Sequence, residues 1–124
     1  MQESAPTPIV YLKRGCPFCM KVRLFLLEAG LLPEVDIKAF DPDTPDERSV
    51  SEELAPHFEK ITYPSVKLSE GEYINGSDDI IALFAKRQGL DVGTFGTLQD
   101  YTEGVFEHLV RLYRENIELK ARLG

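Results

Sequence analysis

Cys16 and Cys19 are the only cysteines in a chain of 124 residues, and they flank Pro17 and Phe18. Two thiols three positions apart lie about one helical turn from each other, so their sulfurs can meet in a small-ring disulfide. The apolar run Ile9-Val10-Tyr11-Leu12 comes before them and a helical pattern starts near Pro17. The motif therefore sits at a strand-loop-helix junction, with Cys16 at the mouth of the helix. Unpaired N–H groups and a partial positive charge gather at a helix start, and both favour thiolate over thiol. Pro17 suits the first helical position, where its missing N–H costs nothing. This pattern predicts a nucleophilic Cys16 and a redox thiol pair.

Other uses of two cysteines fit less well. A structural zinc site needs four protein ligands. The only histidines are His57 and His108, and neither has finger spacing. A structural disulfide closing four residues would remove little entropy from the unfolded chain.

Composition narrows the class. The length suits one domain with a real core, and 43% apolar with 28% charged residues is ordinary for a globular protein. A net charge of -7 argues against tracking nucleic-acid phosphates or anionic membrane surfaces. No apolar run approaches the length needed to span a bilayer, and residues 1–8 lack the features of a signal peptide. The expectation is a cytoplasmic protein with reduced thiols.

The elements that must hold the thiols follow in order. Residues 1–8 read as a flexible arm. Ile9 to Leu12 is a strand buried on both faces, and Lys13-Arg14-Gly15 presents the motif. A helix runs from Pro17 to Ala29, with Gly30 as its stop. Glu34 to Phe40 alternates as a strand does. Thr44-Pro45-Asp46-Glu47 starts a second helix, predicted to reach about Glu59 unless Pro56 shortens it. Ser65 to Leu68, the Glu70-Gly71 turn and Tyr73-Ile74 form a hairpin. Ser77 is expected to cap a third helix that ends at Gly89. The order βαβαββα predicts an α/β fold with a mixed four-stranded sheet. Residues 9–89 make the domain and 90–96 a Gly-containing linker. Residues 97–124 make a C-terminal helical extension read as one long helix capped by Thr97. Its two apolar stripes must be covered by the domain, a second subunit or both. A homodimer contact is the favoured cover.

Three stretches together resemble a glutaredoxin: Cys16-Pro17-Phe18-Cys19, Thr62-Tyr63-Pro64-Ser65-Val66 and Gly76-Ser77-Asp78-Asp79. The same thioredoxin-like fold forms the N-terminal domain of glutathione transferases, where Cys-Pro-Phe and Phe25-Leu26-Leu27-Glu28-Ala29-Gly30-Leu31 are also at home. The resemblance covers about residues 9–89. It implies catalytic Cys16 and Cys19 and glutathione as co-substrate. Lys13 would meet a glutathione carboxylate, and Phe18 would border the site. A cis Tyr63-Pro64 pair would present the Tyr63 backbone to the bound peptide. Ser77 and Asp78 would hold the γ-glutamyl end. Asn75 stands where the family usually has a second Gly, and Phe18 replaces the commoner Tyr. The segment from Asp41 to Ser51 is longer than in compact glutaredoxins, and the C-terminal helix is extra.

The implied activity is glutathione-dependent thiol-disulfide exchange on disulfides or glutathionylated proteins. The alternatives are a transferase-like protein and a non-enzymatic glutathione-binding adaptor. A cluster carrier is disfavoured by Pro17 and Cys19.

Overall fold

A computed structural model describes residues 6–124. The alternation of Val10, Tyr11 and Leu12 decides how the molecule is layered. These three lie on strand β1 (Ile9–Lys13), the inner strand between β2 (Asp36–Phe40) and β3 (Ser65–Ser69). Val10 and Leu12 face a core shared with helices α1 (Pro17–Glu28) and α3 (Ser77–Gln88). Tyr11 faces the opposite core, with Phe40, Val50 and Leu54 around it. Helix α2 (Pro45–Leu54) covers that second face. A strand buried on both sides has no polar face to alternate with, which is why its sequence reads as a continuous apolar run.

The sheet order is β2-β1-β3-β4, with β4 (Glu72–Asn75) at one edge. β1 and β2 are parallel, with Val10 opposite Ile37. β3 runs antiparallel to both β1 and β4. This is the mixed four-stranded βαβαββα plan of the thioredoxin-like fold, followed by a C-terminal helical segment.

The helix ends follow local chemistry. Leu31 N–H reaches the Leu26 carbonyl at 2.8 Å and Gly30 N–H reaches Leu27 at 3.1 Å, so the end of α1 keeps its last carbonyls bonded. Gly30 makes this reversal at φ 73°, a conformation that costs glycine little. Thr44 caps α2 by accepting the Glu47 N–H at 3.4 Å. The Glu47 carboxylate reaches back to Asp43 N–H at 2.7 Å, one residue earlier than an ordinary capping box.

Three expectations need correction. α2 stops at Leu54, and a 3-10 turn over Ala55–His57 takes its place around Pro56. The N-cap of α3 is Gly76 at φ 89°, and no side chain caps it; Ser77 is the first helical residue and is buried. The expected long C-terminal helix is present and runs without a break through α4 (Gly96–Asp100), a π-helical stretch (Tyr101–Phe106) and α5 (Glu107–Leu123). Thr97 does not cap it, because the carboxylate of Glu28 accepts the N–H groups of Thr97 at 3.1 Å and Leu98 at 2.8 Å.

The 90–96 stretch carries a 3-10 turn over Val92–Thr94, and Phe95 stacks near Phe25 with ring centres 5.9 Å apart. Leu98 is buried in the α1/α3 core. The domain does not cover α5, none of whose residues is buried. Residues 1–5 of the expected arm lie outside the described residues, and the Pro8 carbonyl accepts the Asp36 N–H at 2.9 Å.

Candidate functional site

The loop after β1 turns on Gly15, at φ 80°, and delivers Cys16 to the N-cap of α1 in extended conformation. In this pose the Cys16 sulfur accepts the Cys19 N–H at 3.4 Å. Cys19 lies one turn further in, is only 3% exposed, and its sulfur accepts the Lys13 N–H at 3.4 Å. The two thiols are thus unequal by position, one at the surface and one in the core.

Their acidities separate accordingly. The Cys16 thiol is lowered to about 6. The largest cause is the hydrogen bond from the Cys19 thiol. Burial opposes it, the N–H groups of Cys19 and Phe18 add to it, and the Lys13 ammonium comes last. Cys19 is pushed up, first by sharing its proton with Cys16 and then by burial. The first cysteine is the thiolate at neutral pH and the second its donor.

Tyr63 and Pro64 close the other side of the thiol. Their peptide bond is cis. The Tyr63 carbonyl is 3.9 Å from the Cys16 sulfur. The Tyr63 ring packs edge-on against Phe40 at 4.9 Å, and its hydroxyl meets Ser51 at 3.0 Å. Lys13 stands nearby, with its ammonium 5.9 Å from the centre of the Tyr63 ring and 3.9 Å from the Glu47 carboxylate.

Ser77 and Asp78 are brought to the same end of the sheet, since Gly76 N–H reaches the Pro64 carbonyl at 3.3 Å. Neither lines the two clefts that touch Cys16. Asp78 is already engaged: its carboxylate is 2.5 Å from the ammonium of Lys21. The Lys21 side chain is 9% exposed and the Asp78 side chain 86% exposed.

One cleft beside the thiols, of about 320 Å3, is lined by Lys13, Arg14, Cys16, Cys19 and Arg23. Three cationic side chains therefore line the cleft beside the thiols; Arg14 is also paired with Asp41 at 3.2 Å, and of the three only Lys13 lowers the Cys16 pKa. The other, of about 570 Å3, lies between Cys16, Phe18 and the α5 residues Leu109, Val110, Tyr113 and Arg114. It is mostly apolar.

Sequence reasoning did not single out three contributors. Lys21 spans α1 to α3, and its ammonium also lies 4.7 Å from the Phe106 ring centre. Its spacing from Phe25 puts it on the buried face, which is the signal that could have found it. The Tyr101 hydroxyl donates to the Pro17 carbonyl at 2.6 Å, while Phe106 meets Phe18 edge-on at 5.0 Å. Burial first, then the neighbouring Cys16 and Cys19, push the Tyr101 pKa up, so it stays protonated as a donor. No local pattern marks either contact. Among the described residues, no three His, Cys, Asp or Glu side chains gather as a metal site, and no helix is long and apolar enough to cross a membrane.

A two-thiol helix start on a βαβαββα sheet defines a thioredoxin-like domain. Residues 10–92 match the family described as glutathione S-transferase, N-terminal domain, and the chain belongs to that family. Among solved structures it is similar to a glutathione S-transferase from the Antarctic clam Laternula elliptica, at 23% identity and a TM-score of 0.50. That likeness covers 66% of this chain and 35% of the clam enzyme, so the chain spans about a third of that protein. No curated protein matches the chain.

Proposed function

We propose that this domain binds glutathione and that Cys16 is the thiolate which reacts there. The family match supports glutathione as the ligand, and it weighs toward the transferase side of the sequence reading. One observation carries the thiol chemistry: Cys16 is held near 6 by a buried Cys19 that keeps its own proton.

Lys13, Arg14 and Arg23 suit the carboxylates of glutathione, and the Tyr63 backbone suits its peptide portion. Phe18 and Pro64 would frame the sulfur, with Ser77 and Asp78 at the γ-glutamyl end. The ligand's ammonium would have to share Asp78 with Lys21.

In the proposed exchange, the Cys16 thiolate attacks the glutathionyl sulfur of a mixed disulfide. A Cys16–glutathione disulfide forms, and the target thiolate leaves. A glutathione thiolate then attacks the glutathionyl sulfur on Cys16, giving oxidised glutathione and free Cys16. Cys19 offers a second route. Once Cys16 is capped, its negative charge no longer holds the Cys19 proton. Cys19 can lose that proton to solvent and attack Cys16, releasing glutathione and forming the Cys16–Cys19 disulfide.

The apolar cleft against α5 favours a second reading. An apolar electrophile beside Cys16 would fit a transferase-like reaction. The deciding experiment measures glutathione-coupled reduction of a mixed disulfide beside glutathione conjugation of an aromatic electrophile. Disulfide turnover that disappears in Cys16→Ser and survives in Cys19→Ser is expected. Conjugation that persists in Cys16→Ser would overturn the exchange in favour of a transferase. Saturable glutathione binding without either turnover would make the domain an adaptor.

A further inference from the structure

α5 presents a helix face that nothing in the described chain covers. Leu109, Leu112, Leu119 and Leu123 are all exposed. Together with Asn116 they recur at alternating spacings of three and four. In heptad terms Leu109, Asn116 and Leu123 occupy position a, and Leu112 and Leu119 occupy position d. A strict a/d stripe is the seam of a coiled coil, narrower than the face a helix offers to a globular core. The neighbouring stripe of Phe106, Val110, Tyr113 and Ile117, about 100° round the helix, turns toward the thiol end at its start, although Tyr113 and Ile117 are themselves exposed. Phe106 packs on Phe18, and Val110 and Tyr113 line the thiol cleft. Leu109 borders both.

We infer that α5 pairs with α5 of a second copy of this chain as a parallel, in-register, two-stranded coiled coil. Asn116 is the first reason. A single Asn at an a position meets its own counterpart across a parallel dimer, and it fixes both register and strand number at some cost in stability. In a seam packed against an unlike apolar partner the same amide would be buried without a mate.

Charge is the second reason. Glu115 falls at position g and Lys120 at the following e. These positions meet across a parallel seam, so each Glu115 faces Lys120 of the second copy, twice by symmetry. The antiparallel alignment that stacks the same layers would set Glu115 against Glu115 and Asn116 against Leu112. That places like charges together and leaves an amide unmatched. Arg111, Arg114 and Glu118 lie at c and f positions, away from the seam. Five layers make a short coiled coil, so the dimer forms and dissociates with protein concentration. Parallel pairing puts both thiol sites at the same end of the seam. None of this rests on the thiol chemistry.

The test uses the full chain with Cys16→Ser and Cys19→Ser, so that only an added thiol can cross-link. Under mild oxidation Asn116→Cys should give a covalent dimer, whereas Arg114→Cys on the outer face should not. Sedimentation velocity of the unaltered chain under reducing conditions should show a monomer–dimer equilibrium. Glu115→Lys should weaken that equilibrium by about ten-fold, and adding Lys120→Glu should restore it. A chain monomeric at all concentrations would overturn the proposal and leave the face to an unlike helix. A trimer, or cross-linking at position 114 in place of 116, would overturn it as well.

Discussion

Replacing Cys19 by Ala should raise the Cys16 pKa more than removing the Lys13 cation does. The Cys19 thiol is the largest of the influences that bring Cys16 down to about 6, and Lys13 is the last of them. A hydrogen bond to a charged acceptor is worth roughly 1.5–3 kcal/mol, and S–H is a weak donor, so the low end applies. One pKa unit is about 1.4 kcal/mol, which places the Cys19→Ala midpoint near 7. Lys13→Met should move it by less than about half a unit, because that ammonium is partly solvated and paired with Glu47.

The readout has to be chosen with care. At pH 7 a thiol of pKa 6 is about 90% thiolate, against about 3% for an ordinary one. That gain of about 30-fold is largely offset, since a less basic thiolate is intrinsically about ten-fold slower. A single rate at pH 7 would therefore show little. The midpoint of iodoacetamide alkylation against pH is the useful quantity, taken in each variant. Cys16 is depressed in the folded state, so its linked stabilisation is complete above the unfolded thiol value, near 8.5–9. It is lost as pH falls through about 6. The stability gap between the unaltered chain and Cys16→Ser should widen from pH 6 to pH 9. A midpoint unmoved by Cys19→Ala, or moved further by Lys13→Met, would refute this ordering of causes.

Asp78→Ala should weaken glutathione binding and also lower stability by about 1–2 kcal/mol, because it strands the nearly buried Lys21 ammonium. The double variant with Lys21→Met should regain most of that stability in urea melts; simple additivity would show that the pair is not coupled. Glu28→Ala should destabilise the chain by about 1–2 kcal/mol, as loss of a helix cap does. It should also speed amide exchange at Thr97 and Leu98, and unchanged exchange there would mean that water replaces the carboxylate at no cost.

What was legible in the sequence was whatever a few adjacent residues decide. The apolar β1 run, Pro17 at the start of α1, Thr44 before α2 and the Glu70-Gly71 turn each act within one turn of chain. All are where the sequence puts them. Ser77 misled because serine is a preferred cap, while Gly76 alone can take φ 89° and so occupies that position. Thr97 misled for a related reason: the true cap is Glu28, 69 residues earlier. The π-helical stretch has no periodic signature, since its apolar residues still read at helical spacing. The pairing of Asp78 with Lys21 was hidden because it joins two helices, and the exposure of α5 because apolar spacing says that a face needs cover but not what supplies it.

Helix α1 is gripped at both ends by the same downstream segment. Glu28 at its C-terminal end holds the first N–H groups of α4, and the Pro17 carbonyl at its N-terminal end receives the Tyr101 hydroxyl. Leu98 is anchored in the core between these two points. The segment from Gly96 to Phe106 and the helix that carries Cys16 therefore open and close as one cooperative unit, a foldon rather than a domain with a tail. Exchange-protected amides in α1 and α4 should report a single opening free energy. The thiol's environment is thus set partly by residues that come more than 80 positions later in the chain.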